Sequence, residues 1–419
     1  MPMPVRSLPV FQNWDCGSCG DCCRSYHVRV TEPEKAIVEK QNWPADDLGG
    51  LTPIVWDKHL NSHRLNHRAD GSCVFLGADN RCRIHAQHGA AAKPMACRIY
   101  PFVLVPAGDH WRVGLRFACP SSVANAGRKL ADHEADCNAY AKLIEADQGG
   151  PVKDAPPPPL QAGQPISWDD LLRINVAVLA LLVDKEAPIE LRLRRVAALV
   201  AFCRPLRFDT VAGARLTDFL EVAVATATEE VPLDPSTVPP PAWIGRMIFR
   251  QVVAIYCRKD TGPTPGIATR GRLTRIHAAW RFARGNGPIP QLHGLMPPTT
   301  FEAAELPSGP RDADSEDLLA RYFRVKVASL QFCGPTNFQR TYWDGLEDLL
   351  ITFPAMAWLA RVLASHDIHP RDEALALAVR IVDENFGYNP LLGAPRQTWA
   401  ARNIADRGEL ARLIAWYGR

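Results

Sequence analysis

Four cysteines within eight residues near the N-terminus constrain this chain more than any other feature. The segment Cys16-Gly-Ser-Cys19-Gly-Asp-Cys22-Cys23 contains two overlapping C-x-x-C steps. In each step the two intervening residues form a turn on which two sulfurs can converge on one metal. Three thiols can therefore point toward one centre. Side chains at neighbouring positions diverge, so we do not expect Cys22 and Cys23 to serve one centre in equivalent ways.

Four further cysteines complete this cluster, and the remaining four are scattered singly over the rest of the chain. Those of the cluster are Cys73, Cys82, Cys97 and Cys119. The N-terminus lacks the apolar segment of a secretory signal, so we expect a cytoplasmic protein. In that reducing compartment, dense cysteines favour metal binding over disulfides. Eight thiols suit either one four-thiolate centre with supporting residues or two centres.

Two kinds of centre fit a set of thiols. Zinc takes four cysteines, or three with a histidine, and a [4Fe–4S] cluster takes four cysteines. The spacing does not separate the two, and a purely structural metal is an alternative to a functional one. His85 is either a ligand or a hydrogen-bonded structural histidine. Arg98 and Tyr100 follow Cys97 directly, and we predict that they lie beside the centre, where a cation lowers the cost of anionic thiolates.

Charge is balanced over the chain as a whole but not along it. There are 48 Lys and Arg against 45 Asp and Glu, a net charge of +3. This balance predicts no nucleic-acid partner and no membrane partner, and the longest apolar run, Val176 to Val183, is about half as long as a spanning helix. Locally, residues 246–284 are basic and residues 302–317 are acidic. They are either solvated or in mutual contact, or the basic segment docks an acidic partner.

The pattern of apolar residues predicts an α+β fold: a small Cys-rich metal-binding module with short strands, followed by a mainly α-helical domain. We place the module at residues 1–148, a Gly/Pro linker at 149–165 and the helical domain at 166–419. Within the module, Tyr26–Thr31 and Trp111–Phe117 are predicted strands, and Cys73 and Cys82 are expected on two short strands around a turn. A short helix is predicted to begin at Thr31-Glu-Pro-Glu34, with Thr31 as its cap. Later in the chain, Pro354 is expected to kink or break a helix.

Other motifs of known chemistry are missing from the sequence. The spacing C-x-x-x-C-x-x-C, which is typical of radical S-adenosylmethionine enzymes, is absent. The sequence also contains no G-x-G-x-x-G motif and no phosphate-binding loop motif. Three of the scattered cysteines, Cys203, Cys257 and Cys333, lie in apolar helical segments. We therefore predict that these three are small core residues.

The cysteine pattern resembles that of the YkgJ-type cysteine-cluster family, which is described as zinc- or iron-chelating. The resemblance covers about residues 11–125. It is carried by C-x-x-C-x-x-C-C, by Cys73-Val-Phe-Leu and Cys82-Arg-Ile-His, by Lys93-Pro-Met-Ala-Cys97-Arg-Ile-Tyr-Pro-Phe, and by Cys119-Pro. It implies a metal-binding role for eight residues: Cys16, Cys19, Cys22, Cys23, Cys73, Cys82, Cys97 and Cys119.

A chain of this length with a helical second part also resembles the flagellin lysine-N-methylases. That resemblance implies an iron–sulfur cluster, S-adenosylmethionine as methyl donor and a flagellin-like protein as substrate. No donor-binding, lysine-binding or catalytic residue can be carried over. The leading hypothesis is a 4Fe-4S protein, in preference to a zinc protein, that acts as a protein lysine N-methylase. The alternative is a non-enzymatic zinc- or iron-binding protein with a structural or metal-handling role.

Overall fold

In the computed structural model, the strands of the described residues are short and lie in the N-terminal part of the chain, and the part that follows is mainly helical. The structure describes residues 3–58, 61–150, 155–208, 210–259, 267 and 270–419. The predicted α+β class is confirmed, with a Cys-rich segment at the N-terminus and a helical region after it. None of the helices in these ranges is long and apolar enough to cross a membrane.

Five strands form two small sheets. The strands are β1 (Val5–Ser7), β2 (Ile54–Asp57), β3 (Ser62–Leu65), β4 (Phe102–Ala107) and β5 (His110–Leu115). In the larger sheet β5 lies in the middle, parallel to β1 and antiparallel to β4. The β4–β5 hairpin turns at Gly108, whose positive φ of 67° suits glycine. The other sheet is the antiparallel pair β2–β3.

The predicted strand at Tyr26–Thr31 is extended but pairs only briefly. Its backbone exchanges two hydrogen bonds with β3, from the Val30 N–H to the His63 carbonyl and from the Leu65 N–H to the Val28 carbonyl, both at 3.0 Å. Thr31 then ends this segment and caps the following helix.

Six short or medium helices belong to the N-terminal part of the chain. They are α1 (Asp21–Ser25), α2 (Glu32–Glu39), α3 (Arg83–His88), α4 (Met95–Ile99), α5 (Pro120–Val123) and α6 (Glu134–Asp147). Helix α2 begins with a capping box, in which the Glu34 N–H bonds to the Thr31 hydroxyl and the Glu34 carboxylate accepts from the Thr31 N–H at 2.7 Å. The predicted start of this helix is therefore correct.

Eleven further helices lie between residues 168 and 418 of the described ranges. They are α7 (Trp168–Val183), α8 (Ile189–Cys203), α9 (Ala214–Glu230), α10 (Trp243–Tyr256), α11 (Arg272–Arg284), α12 (Phe301–Ala304), α13 (Ala313–Ala328), α14 (Tyr342–Leu363), α15 (Arg371–Asn385), α16 (Pro395–Asp406) and α17 (Glu409–Gly418). The prediction of a break at Pro354 is wrong, because α14 runs through it. Nearly all residues of α14 are buried, so the stability gained from packing exceeds the cost of the backbone hydrogen bond that Pro354 cannot donate.

The buried apolar side chains form two clusters. The larger extends from Met3 to Tyr417 and joins the β1–β5–β4 sheet to the helices, and it contains Cys203, Cys257 and Cys333 as predicted. The smaller, which we call the cysteine core, includes Val30, Val38, Leu48, Leu65, Cys73, Val74, Phe75 and Ile84, and Cys23, Cys82 and Cys97 pack against it. The proposed division at residues 149–165 stays a prediction, and residues 151–154 of that linker lie outside the described residues.

Candidate metal centre

The first two cysteines lie on a loop that is held against the segment after Cys119. The Asp15 N–H donates to the Ala126 carbonyl at 2.9 Å, and the Gly17 N–H donates to the Ser121 hydroxyl at 3.2 Å. Cys16 and Cys19 are exposed at this loop. Residues more than a hundred positions apart are thereby brought to one side of the molecule.

Helix α1 follows this loop and carries Cys22 and Cys23. Its first turn requires Gly20, which has a φ of 71°, and a β-carbon there would lie 2.4 Å from an Arg24 guanidinium nitrogen. Arg24 donates to the Cys19 carbonyl at 3.2 Å and to the Asn80 side chain at 2.7 Å. The start of the cysteine motif is thus joined to the segment between Cys73 and Cys82.

The segment from Cys73 to Cys82 is a compact loop and not the predicted pair of strands. Single bridges join His67 to Cys73 and Leu76 to Cys82, so regular pairing does not develop. The reason is that the backbone of this loop forms hydrogen bonds with other segments. The Cys73 N–H, for example, donates to the Cys23 carbonyl at 2.8 Å. Arg68, a residue that the sequence analysis missed, donates to the carbonyls of Cys73, Val74 and Leu76 from inside the loop.

Four thiols from this region lie close enough to influence one another. Burial raises the pKa of Cys73 to about 12, and the thiols of Cys82 and Cys22 raise it further. Burial also raises the pKa of Cys97, together with repulsion from the thiolates of Cys73, Cys82 and Cys22, whereas Lys93 lowers it. We call Cys22, Cys73, Cys82 and Cys97 the buried thiol group; Cys73 is buried and the other three residues are half-buried. Cys73, Cys82 and Cys97 lie in or against the cysteine core, and Cys22 is next to Cys23, which also packs against it.

Three other cysteines of the motif, Cys19, Cys23 and Cys119, lie near this group. Burial raises the pKa of Cys19, a hydrogen bond from the backbone of Asp21 lowers it, and the charges of Asp21, Cys119 and Cys22 add to the increase. The hydrogen bond between the Cys22 and Cys23 thiols is the largest cause of the raised pKa of Cys22. Cys22 therefore belongs to the buried thiol group and also lies near Cys19, which in turn lies near Cys119. The N-terminal cysteine motif and the later cysteines of the sequence pattern therefore lie close together.

Of the two residues predicted beside the centre, Tyr100 lies near the thiol of Cys119. Burial raises the pKa of Tyr100, and Tyr26 and Cys119 add to the increase. The charge of Arg98 acts on the phenol of Tyr140, whose pKa it lowers. A cation that does act on the thiols is Lys93, which lowers the pKa of Cys22 as well as that of Cys97. Lys93 begins the Lys93-Pro-Met-Ala-Cys97 segment of the sequence pattern and lies five residues after the end of α3, but the pattern alone does not predict its effect on the thiols.

His85 does not face the cysteine core. It lies in the last turn of α3, immediately beyond the buried Ile84, and its side chain is exposed. The geometry therefore gives His85 no support as a ligand of the buried thiol group.

A comparison with protein-family models accounts for this arrangement. Residues 15–138 match the CxxCxxCC family, which is described as "Putative zinc- or iron-chelating domain". This part of the chain carries a CxxCxxCC domain. All eight cysteines of the sequence pattern fall inside the matched residues. No curated protein and no solved structure gave a significant match to the chain.

The helical part of the molecule contacts the CxxCxxCC domain through charged and aromatic side chains. Asp21 of α1 forms an ion pair with Arg380 of α15. The guanidinium of Arg116, three residues before Cys119, lies 3.5 Å from the centre of the Tyr388 ring. The loops that carry the cysteines are thus attached to α15 and to the segment after it.

The donors of the CxxCxxCC domain fit the chemistry of zinc or of an iron–sulfur cluster. All twelve cysteines lie within the described residues and are free thiols, and thiolates are the soft ligands that both centres select. In the side-chain conformations shown, no three Cys, His, Asp or Glu among the described residues are arranged to hold an ion. The fit therefore rests on donor type and proximity, and binding requires the thiols to lose protons and turn toward one point.

Proposed function

We propose that the CxxCxxCC domain holds a metal centre through Cys22, Cys73, Cys82 and Cys97. Two observations carry this proposal: these four thiols, which come from three segments of the chain, influence the pKa values of Cys73 and Cys97, and Cys73, Cys82 and Cys97 pack in or against the cysteine core. In this proposal Cys16, Cys19, Cys23 and Cys119 support the centre; of these, Cys16 and Cys19 are exposed and Cys119 is buried. They are the additional ligands if a second centre is present.

An iron–sulfur cluster of the 4Fe-4S type is the centre that we favour over zinc. Four cysteines satisfy such a cluster, and it supplies Lewis-acidic and one-electron chemistry when bound. Lys93 reduces the electrostatic cost of gathering four thiolates. The apolar side chains of the cysteine core exclude water from one side of the group.

The activity that we propose is methylation of lysine side chains on a flagellin-like protein in the cytoplasm, with S-adenosylmethionine as donor. The neutral lysine nitrogen attacks the methyl carbon, the carbon–sulfur bond breaks, S-adenosylhomocysteine leaves, and the ammonium product loses a proton to solvent. Its support is the resemblance of the cysteine pattern, combined with a long helical region that offers surface for a protein acceptor.

A non-enzymatic zinc or iron protein is the second candidate. It is favoured by the small size of the cysteine core, because a structural metal contributes on the order of 10 kcal/mol to folding. Such a contribution would stabilise loops that contain little regular structure. In this case the helical region would have no bound methyl donor.

Two measurements test the proposed function. Protein purified without oxygen is analysed for iron, zinc and acid-labile sulfide, and its reduced form is examined by electron paramagnetic resonance. We expect about four irons and four sulfides per chain, and a colourless protein with one zinc and no sulfide would contradict the cluster. Binding of S-adenosylmethionine is then measured with and without the metal, and its absence in both states would contradict the methylase.

A further inference from the structure

Helix α11 exposes large apolar side chains on the face that points away from the protein. Leu273 is 82% exposed, Ile276 55% and Trp280 49%. Their spacings of three and four place them on one side of the helix. Ala278 and Phe282 are buried on the opposite side. A surface helix ordinarily presents polar residues to water on that outer face, so this apolar ridge (Leu273, Ile276 and Trp280) is unusual.

The residues that flank the apolar ridge are basic. Arg272, Arg275 and Arg284 are exposed, and the sequence from Arg270 to Arg284 contains no Asp or Glu. The Arg284 guanidinium lies 5.3 Å from the centre of the Trp280 ring, so positive charge adjoins the ridge directly.

The acidic segment 302–317 does not neutralise the arginines beside the ridge. It meets the basic segment at other positions, where Arg250 lies 3.9 Å from Glu305 and Arg281 of α11 lowers the pKa of Glu302. Glu302 is also engaged, because it accepts a hydrogen bond from the Gly287 N–H at 2.9 Å. Among the described residues, Arg272 and Arg284 form no ion pair. The charge beside the ridge is therefore available to an anionic surface.

We propose that α11 is a peripheral membrane-binding helix that lies on an anionic phospholipid surface. A basic helix with leucine, isoleucine and tryptophan on one face is the kind of element that inserts shallowly between lipid headgroups. The ridge is convex and about 10 Å long, so a flat, deformable interface accepts it, whereas a protein partner would need a matching groove. Tryptophan is favoured at the headgroup level, and arginines pair with anionic lipids there.

This inference concerns a local surface and is independent of the proposed methylase activity. The expectation of no membrane partner rested on the net charge of the whole chain, +3, in which a local basic patch is averaged away. A helix that lies on a membrane also needs none of the length that a spanning helix requires.

Sedimentation of the full chain with lipid vesicles tests the proposal. Vesicles of phosphatidylcholine alone are compared with vesicles that contain one quarter phosphatidylglycerol, at low and at physiological salt. We expect binding to the anionic vesicles, weakened by salt. The triple variant Leu273→Ser/Ile276→Ser/Trp280→Ser should bind at least tenfold less, and Arg272→Glu/Arg284→Glu should lose the preference for anionic lipid.

A matched control is available on other helices and loops. Val222, Leu233 and Trp399 are also exposed apolar residues, so their triple serine variant removes the same kind of side chain elsewhere. It should bind vesicles as the unaltered protein does, and circular dichroism should show all variants folded. Equal losses in both triple variants, or equal binding to neutral and anionic vesicles, would overturn the proposal. So would binding of α11 to an acidic amphipathic peptide with no binding to vesicles.

Discussion

The carboxylate of Asp383 on α15 accepts a hydrogen bond from the backbone N–H of Ala118 at 2.9 Å, and Ala118 directly precedes Cys119. The same buried carboxylate lies 2.5 Å from the ammonium of Lys326 and 3.6 Å from the guanidinium of Arg116. One side chain of the helical region thus neutralises two buried cations and fixes the backbone beside a cysteine of the metal motif.

Replacement of this carboxylate should destabilise the whole protein. Asp383→Asn keeps the shape of the side chain but leaves Lys326 and Arg116 buried without a counter-charge, so we expect a loss of about 3–5 kcal/mol in the free energy of unfolding. Denaturant unfolding measures the change. The control Asp372→Asn removes an exposed carboxylate from the same helix and should cost about 0.5 kcal/mol or less. Similar losses in both variants would show that Asp383 has no special role.

Cys97 and Cys257 should respond differently to the same substitution. Cys97→Ala removes a member of the buried thiol group, so we expect most of the bound metal to be lost and the cysteine core to loosen. Cys257→Ala removes a thiol buried in the larger core, away from the motif, and should keep full metal content at a cost of about 1 kcal/mol. Metal analysis of both proteins measures the difference, and unchanged metal in Cys97→Ala would exclude that residue as a ligand.

Local sequence signals predicted the features that depend on neighbouring residues. The capping box at Thr31 and the cysteine spacing are of this kind, since each is complete within a few positions. Contacts between distant segments gave no such signal. Asp383 and Ala118 are 265 positions apart, and Arg68 holds the Cys73 loop through backbone carbonyls, which every sequence contains. The cysteine motif could therefore be predicted from the sequence, whereas Asp383 and Arg68, which hold the backbone beside its cysteines, could not.

The same limit explains the errors in secondary structure. Pro354 disfavours a helix locally, but α14 is buried on nearly all sides and packing decides the outcome. Strand β4 was not predicted, because its residues Phe102–Ala107 follow Pro101 closely and contain Pro106, and a proline usually argues against a strand. It pairs only with β5, so it is an edge strand in which a proline is tolerated.

A glycine inside α14 should resist substitution by the best helix former. Gly345→Ala would be favourable by up to about 1 kcal/mol from helix propensity alone. A β-carbon at this position, however, would lie 2.0 Å from the backbone carbonyl oxygen of Phe332, which cannot move aside. We therefore expect a net loss of about 3 kcal/mol in stability, measured by thermal or denaturant unfolding.

The control for this substitution is Gly294→Ala. No atom lies within 4 Å of the position that its β-carbon would occupy, so its effect should stay within about 0.5 kcal/mol. A Gly345→Ala protein as stable as the control would show that α14 and the Phe332 backbone are farther apart than the structure indicates.

The carboxylates of Asp344 and Glu347 lie one turn apart on α14 but should titrate very differently. Burial opposes ionisation of Asp344, but hydrogen bonds from Arg402 and Arg204 lower its pKa to about 2. Glu347 lies 2.5 Å from Arg204, which lowers its pKa, but burial outweighs this effect and raises the pKa to about 7, with Asp344 and Asp348 adding to the increase. The folded protein thus holds a proton on Glu347 between pH 4.5 and 7 that the unfolded chain releases.

Stability should therefore fall as the pH rises through this window, because the folded state binds more protons there than the unfolded state does. The variant Glu347→Gln cannot ionise, so its stability relative to the original protein should increase by about 2 kcal/mol between pH 5 and pH 8. Denaturant midpoints of both proteins, taken at several pH values in one metal state, measure this difference in stability. The contributions of the other titrating groups are the same in both proteins and therefore cancel. Glu230→Gln removes an exposed carboxylate from the cavity that Glu347 also lines and should leave the pH dependence unchanged. Parallel curves for the Glu347→Gln and original proteins would mean that Glu347 is ionised throughout, held by Arg204.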